Sequence, residues 1–228
     1  MTNIATPSVI TSDSINSNSA DAAMPDPRQL FAVAVRTARA TLAAVSADQF
    51  DGPTPCDAFD VRQLAGHLVA VLHRVAVIGS GGDPFDAPTT TTGVADDELI
   101  AVFDAHHEHA AAVWADADLN DIVTVPWAQL PGAIALTIYT SEVTVHTWDL
   151  AVATAQQPDW DAEVVTASLM AMQRGLPDEG RMESFAEAGA DVAGSGVGSP
   201  PPFHAAVPTR AEAPMIAQLV AWCGRTPV

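Results

Sequence analysis

The sequence predicts an all-α fold, and three observations carry that expectation. Apolar residues recur at three- and four-residue steps through several segments that Pro- and Gly-rich breaks keep apart. Two of these segments open on residues suited to start a helix, Asp26 ahead of Pro27 and Asp60 ahead of Val61. The apolar stretch IYTSEVTVHTWDLAVA sets Glu142 and His146 four residues apart. On a helix that step turns about 400°, so the two side chains share a face roughly 6 Å apart along the axis.

Residues 1–25 are rich in Ser, Thr, Asn and Ala without a sustained period and read as a disordered tail with no catalytic part, leaving one domain over 26–228. The first helix runs from Pro27 to about Val45, with Leu30, Val33, Ala34, Thr37 and Leu42 near one face. After the loop DGPTPCDAF, a second helix over 61–78 gathers Val61, Leu64, His67, Leu68, Val71 and Val75 on a broad face, which points His67 inward. GSGGDPFDAPTTTTG is then a long connection, functional or mobile, placed to border a cleft. The third helix is expected over 96–116. Its His106, His107 and His109 suggest a competing metal site, but neighbours on a helix point about 100° apart and Glu108 sits among them, so the run reads as a solvated face.

Residues 118–130 read as an extended or turn stretch in which Pro126 ends any helix and Trp127 either roofs a pocket or joins the core. The fourth helix, about Pro131 to Ala155, carries Glu142 and His146. Asp149 lies one turn beyond, either accepting from the second nitrogen of His146 or pairing with Arg62. A shorter helix over 161–174, a loop-like stretch over 176–203 and a last apolar helix over 211–223 that packs across the others complete the reading. GSGVGS lacks the strand and helix that a phosphate-binding loop needs.

With 48% apolar residues in 228, the chain can bury one sizeable core. A net charge of −19, from 28 acidic and 9 basic residues, repels phosphate backbones and anionic lipid, so neither nucleic acid nor membrane is an expected partner. No apolar run is expected to reach the ~20 residues of a membrane span, and the N-terminus has no basic region followed by an apolar core, so the cytoplasm is the expected location. The two cysteines make no disulfide framework. Cys56, in the turn TPCD, is a small, partly buried residue or a thiol whose helix-entry position lowers its pKa; Cys223 is packing.

If the helix of His67 lies beside that of Glu142 and His146, two imidazoles and a carboxylate can grip a divalent ion while leaving coordination positions open. The plainer reading is that the three polar residues bond only one another. The segments TPCDAFDVRQLAGHLV, EVTVHTWDLAVAT and PFHAAVPTRAEAPMIAQLVAWCGRTP, in that order, add weight to the first and leave the second open. Together they resemble the DinB-like metal-binding superfamily, and within it the branch that contains the N-terminal domain of mycothiol-dependent maleylpyruvate isomerase. The resemblance implies an up-down-down-up four-helix bundle holding a divalent metal, most commonly zinc, through His67, Glu142 and His146. It further implies mycothiol as co-substrate, a small thiol whose thiolate the metal favours, acting on a small electrophile as an S-transferase or isomerase, and allows a homodimer. A non-catalytic metal-binding or stress protein of the same fold is the alternative. The isomerase carries a further C-terminal domain, whereas about 75 residues follow the fourth helix here, as in the shorter actinobacterial members.

Overall fold

The computed structural model describes residues 25–176, 178, 180, 181 and 203–228. The tail read over 1–25 and the loop read over 176–203 therefore fall almost wholly outside the described residues. Four long helices make the body: α1 (Pro27–Ala43), α2 (Val61–Gly79), α3 (Leu99–Ala115) and α4 (Gly132–Ala153). Two shorter ones follow, α5 (Ala162–Gly175) and α6 (Met215–Trp222). The stretch over 118–130, expected to be extended or turn, contains most of an antiparallel hairpin, β1 (Ile122–Val125) and β2 (Ala128–Pro131), turning at Pro126 and Trp127.

Local chemistry sets the starts. The Asp26 carboxylate accepts from the Arg28 amide at the head of α1, where Pro27 needs no donor partner. Asp60 and Gln63 cap each other at the head of α2, side chain to backbone in both directions. That cap fixes where α2 begins, and so the turn on which His67 falls.

Contacts between helix ends give the direction of each helix. Arg28, at the start of α1, donates to the carbonyls of Trp114 and Ala117 at the end of α3, so these two run antiparallel. Arg62, at the start of α2, pairs with Asp96 just ahead of α3, and the Trp114 indole donates to Val75 near the end of α2, so α2 and α3 run parallel. Gln156, just past α4, donates to Thr41 near the end of α1, which makes that pair parallel. The bundle is thus up-down-down-up, with α4 packed on α1 and α2 on one side and on α5 and α6 on the other. The last helix packs mainly on α5 rather than across the bundle, in a second apolar cluster of Val145, Val165, Leu169, Met172, Leu219 and Cys223.

The expectation that no segment has the dimensions of a membrane span is corrected at α2. Its 19 residues, with a mean hydropathy of 1.3, are long and apolar enough by length and composition. Most of them are buried, among them Leu64, Leu68, Val71, Leu72 and Val75, because α3 and α4 and the loop of residues 80–95 cover the helix on several sides. An apolar helix in that position needs no lipid to account for its composition.

Candidate metal centre

The heptad arithmetic of two antiparallel helices builds the site. On α2, His67 is buried at 5% exposure, and on α4 His146 is buried at 8%, with Glu142 one turn before it. The imidazole rings meet edge to face with centroids 4.8 Å apart, and Nε2 of His67 lies 3.3 Å from Oε1 of Glu142. One ligand atom each from His67, Glu142 and His146 falls within 4.8 Å of the others. Phe59, the residue before the Asp60 cap, stacks on the His67 ring at 4.8 Å and meets the His146 ring edge-on at 6.2 Å.

Each histidine has one nitrogen held from behind. Nδ1 of His67 lies 2.7 Å from the Thr89 carbonyl, and since a carbonyl only accepts, Nδ1 carries the proton and Nε2 keeps its lone pair. That loop reaches α2 because Gly66 has no side chain: the Thr91 amide donates to the Gly66 carbonyl, and a Cβ on Gly66 would stand 2.3 Å from the Thr91 oxygen. The long connection therefore docks on the site, and Arg74 pins it by donating to the carbonyls of Pro84, Ala87 and Pro88.

Nδ1 of His146 lies 3.1 Å from Oδ2 of Asp149, which is fully buried. The ion pair considered for Asp149 with Arg62 is corrected. Arg62 reaches Asp96 and Asp51, while Asp149 is gripped by Arg225, Nε to Oδ1 at 3.2 Å and Nη2 to Oδ2 at 2.9 Å. Arg225 arrives there because Gly224 takes φ +83 and the Arg225 amide closes back on the Val220 carbonyl, a left-handed helix end that a side chain disfavours.

Electrostatics favour open lone pairs. Burial works to raise the Glu142 carboxyl, but His67 beside it, then His146 and Arg74, hold it below its ordinary value. Burial, opposed by Asp149, pulls the His146 imidazole below its ordinary value, so the ring is neutral at neutral pH. Asp149 stays ionised because His146 and Arg225 outweigh its own burial. Nε2 of His67 is buried and satisfies no hydrogen-bond geometry despite its nearness to Glu142. A buried polar nitrogen left without a partner is costly unless something else supplies one.

A divalent cation fits this donor set. Ligand atoms about 2.0–2.1 Å from a tetrahedral zinc stand ~3.3 Å apart, the separation of the His67 nitrogen and the Glu142 oxygen, and two imidazoles with one carboxylate are a known zinc set. A second group, Cys56, His146 and Asp149, also converges within 4.8 Å, but it does not suit a cation. Both Asp149 oxygens are committed to Arg225, and burial raises the Cys56 thiol, contrary to the helix-entry alternative, so it stays protonated. Burial also pushes the Cys223 thiol up to about 12. His106 stacks on His73 with ring centroids 4.8 Å apart, and among the described residues the run at 106–109 forms no metal-holding group. Trp127 is 39% exposed at the hairpin turn, 6.2 Å from the Tyr139 ring, which corrects its reading as a core residue.

Residues 31–151 match the model of the mycothiol maleylpyruvate isomerase N-terminal domain. The chain belongs to this family. It is 30% identical over 187 residues to an uncharacterized protein of Mycobacterium tuberculosis, in each of two strains, covering 82% of this chain and 91% of the relative. A solved variant of the mycothiol-dependent maleylpyruvate isomerase superposes with a TM-score of 0.47 at 11% identity, over 63% of this chain and 67% of that one. Within the family, then, this chain has a buried site whose neighbours include Phe59, Thr89 and Arg225, none of which stood out in the sequence. Phe59 had a detectable signal, an apolar residue directly ahead of a capping box.

Proposed function

We propose that this family member binds one divalent ion, most commonly zinc, through His67, Glu142 and His146, and uses it in mycothiol-dependent transfer or isomerisation of a small electrophile. The observation that carries the reading is the buried, unpartnered Nε2 of His67 facing the Glu142 carboxylate, with the opposite nitrogen of each histidine already held by Thr89 or Asp149. When bound, such an ion favours the thiolate form of a thiol at neutral pH.

The chain's own residues do the rest. Thr89 and Asp149 keep both imidazoles in the tautomer that presents a lone pair, and Arg225 keeps Asp149 charged. Glu142 removes one positive charge from the site, which leaves a thiol held strongly enough to ionise and weakly enough to react. Phe59 excludes water from the two rings.

Elemental analysis of untagged protein, followed by thiol-dependent consumption of a panel of electrophiles, tests this. About one equivalent of metal is expected, lost in His67→Ala, Glu142→Ala and His146→Ala and kept in His107→Ala. Metal that survives His67→Ala overturns the site. Full metal without any thiol-dependent consumption leaves a non-catalytic metal-binding protein of the same fold.

A further inference from the structure

The hairpin and the start of α4 are free of the charge that covers the rest of the molecule. Residues 122–141 carry no charged side chain, in a chain of net charge −19. Of the seven large apolar side chains exposed among the described residues, Ile122, Trp127 and Ile134 all fall in this stretch. Single apolar residues on a surface are ordinary, but a group of them cleared of charge marks a place where another surface lies. The backbone gives a second, independent observation. Both strands of a two-stranded sheet have an open edge, and the bonds of an antiparallel ladder alternate along it. The Gly132 amide donates to the Asp121 carbonyl, so in the register of Val123 with Leu130 the bonded pairs are Asp121 with Gly132, Val123 with Leu130 and Val125 with Ala128. The amides and carbonyls of Ile122 and Thr124 therefore point away from β2. Both residues are exposed, and among the described residues no backbone hydrogen bond from another element reaches them. The outer edge of β2 is poorer, because Pro131 has no N–H to offer. Edge strands are commonly guarded by a charge or a proline, and β1, reading IVTV, has neither.

We propose that the outer edge of β1 is a homodimer interface, on which β1 of a second copy pairs antiparallel and joins the two hairpins into one four-stranded sheet. Ile122 of each copy stands opposite Thr124 of the other, with Val123 opposite Val123 on the two-fold axis. A strand whose outward-pointing residues flank its centre is complementary to itself under that symmetry, and a two-fold contact closes at two copies. Charge selects a second copy over other occupants. Two chains of −19 repel wherever their acidic surfaces meet, so they associate only through a neutral contact, and a partner recognised by its own charge finds nothing to pair with here. The acid next to the strand, Asp121, stands about 13 Å along the ladder from its symmetry mate, beyond the ~8 Å over which charges are felt at physiological salt. A four-residue strand makes a small interface, so the dimer is weak and reversible. The interface goes beyond the metal chemistry and does not depend on it.

The test is sedimentation velocity of the full chain over a wide range of protein concentration, at low and at high salt, for wild type, Ile122→Asp, Thr124→Pro and Gln157→Glu. Gln157 is exposed just past the end of α4, so its variant adds the same single charge with the 22 residues of that helix between it and the hairpin. Wild type should pass from monomer to dimer as concentration rises, and the dimer should tighten with salt, because screening relieves the repulsion between two acidic chains. Ile122→Asp, which puts a charge in the new ladder, and Thr124→Pro, which removes an outward amide that the hairpin does not use, should each weaken dimerisation about tenfold or more at an unchanged melting temperature. Gln157→Glu should dimerise as wild type does. In hydrogen exchange, the Ile122 and Thr124 amides of wild type should slow as protein concentration rises, which reads the pairing without any substitution. Wild type that stays monomeric throughout, a dimer that survives Ile122→Asp, equal weakening by Gln157→Glu, a dimer loosened by salt, or edge amides whose exchange ignores concentration overturns the interface. Where Thr124→Pro lowers the melting temperature, Ile122→Asp and the exchange rates decide.

Discussion

At the scale of single residues, the smallest side chain beside the centre has the widest reach. Gly66 lets the loop backbone lie against α2, and that contact brings the Thr89 carbonyl to His67. In Gly66→Ala the new methyl would meet a backbone oxygen, which cannot swing aside as a side-chain tip can. The loop should lift and the His67 ring lose its tether. The expected result is a fall in zinc affinity of about 10- to 100-fold, as for loss of other groups that orient metal ligands, read by competition with a chelator. Unchanged affinity would show that Phe59 stacking alone holds the ring. Asp149 teaches the complementary lesson. Its nearness to His146 is legible from a three-residue step on a helix, but its ion pair is not, because Arg225 lies 76 residues away and only the packing of α6 against α4 and α5 brings it home.

At the scale of elements, α4 carries a composition that looks ill-suited to its position. Thr140, Ser141, Thr144 and Thr147 are all buried at the centre of the molecule. Each hydroxyl donates to the carbonyl four residues back, so none needs a partner from another helix. Thr140→Val, which swaps a self-satisfied hydroxyl for a methyl of similar shape, should therefore leave stability unchanged or slightly higher in urea unfolding. A loss above about 2 kcal/mol would mean that the hydroxyl serves a second group. The turn after α6 is different, since Gly224 and Arg225 close a buried ion pair. Arg225→Met leaves the buried Asp149 carboxylate without its cationic partner, held only by Nδ1 of His146, and should cost about 3–5 kcal/mol of unfolding free energy. Asp149→Asn combined with Arg225→Met should recover a large part of that, measured by the same urea titration. No recovery would show that Arg225 matters for its packing and not its charge.

At the scale of the whole molecule, the bundle forms a closed core from Pro27 onward, with α1 anchored at both ends through Arg28 and Thr41. Residues 1–24 are polar and without helical period. Their removal should leave both melting temperature and metal content as they are. A drop of several degrees would show that they pack on the domain. The charge of −19 belongs to this scale as well, because it sums over the whole sequence and acts at long range, whereas the centre sets one carboxylate, Glu142, beside two imidazoles.

The sequence by itself determined the helical class, the boundaries of α1 and α2 to within two residues, and the family, since periodicity, caps and the segments around His67, Glu142 and His146 are local patterns that need no partner to be read. Only the tertiary structure decided who stands behind each ligand. Thr89 acts through a backbone carbonyl, which has no signature in side-chain identity. The hairpin at 122–131 is too short for a period to show, and Trp127 could not be placed until its turn was. Local order follows from neighbours in the chain, whereas a site is made by groups that the fold, and not the chain, makes neighbours.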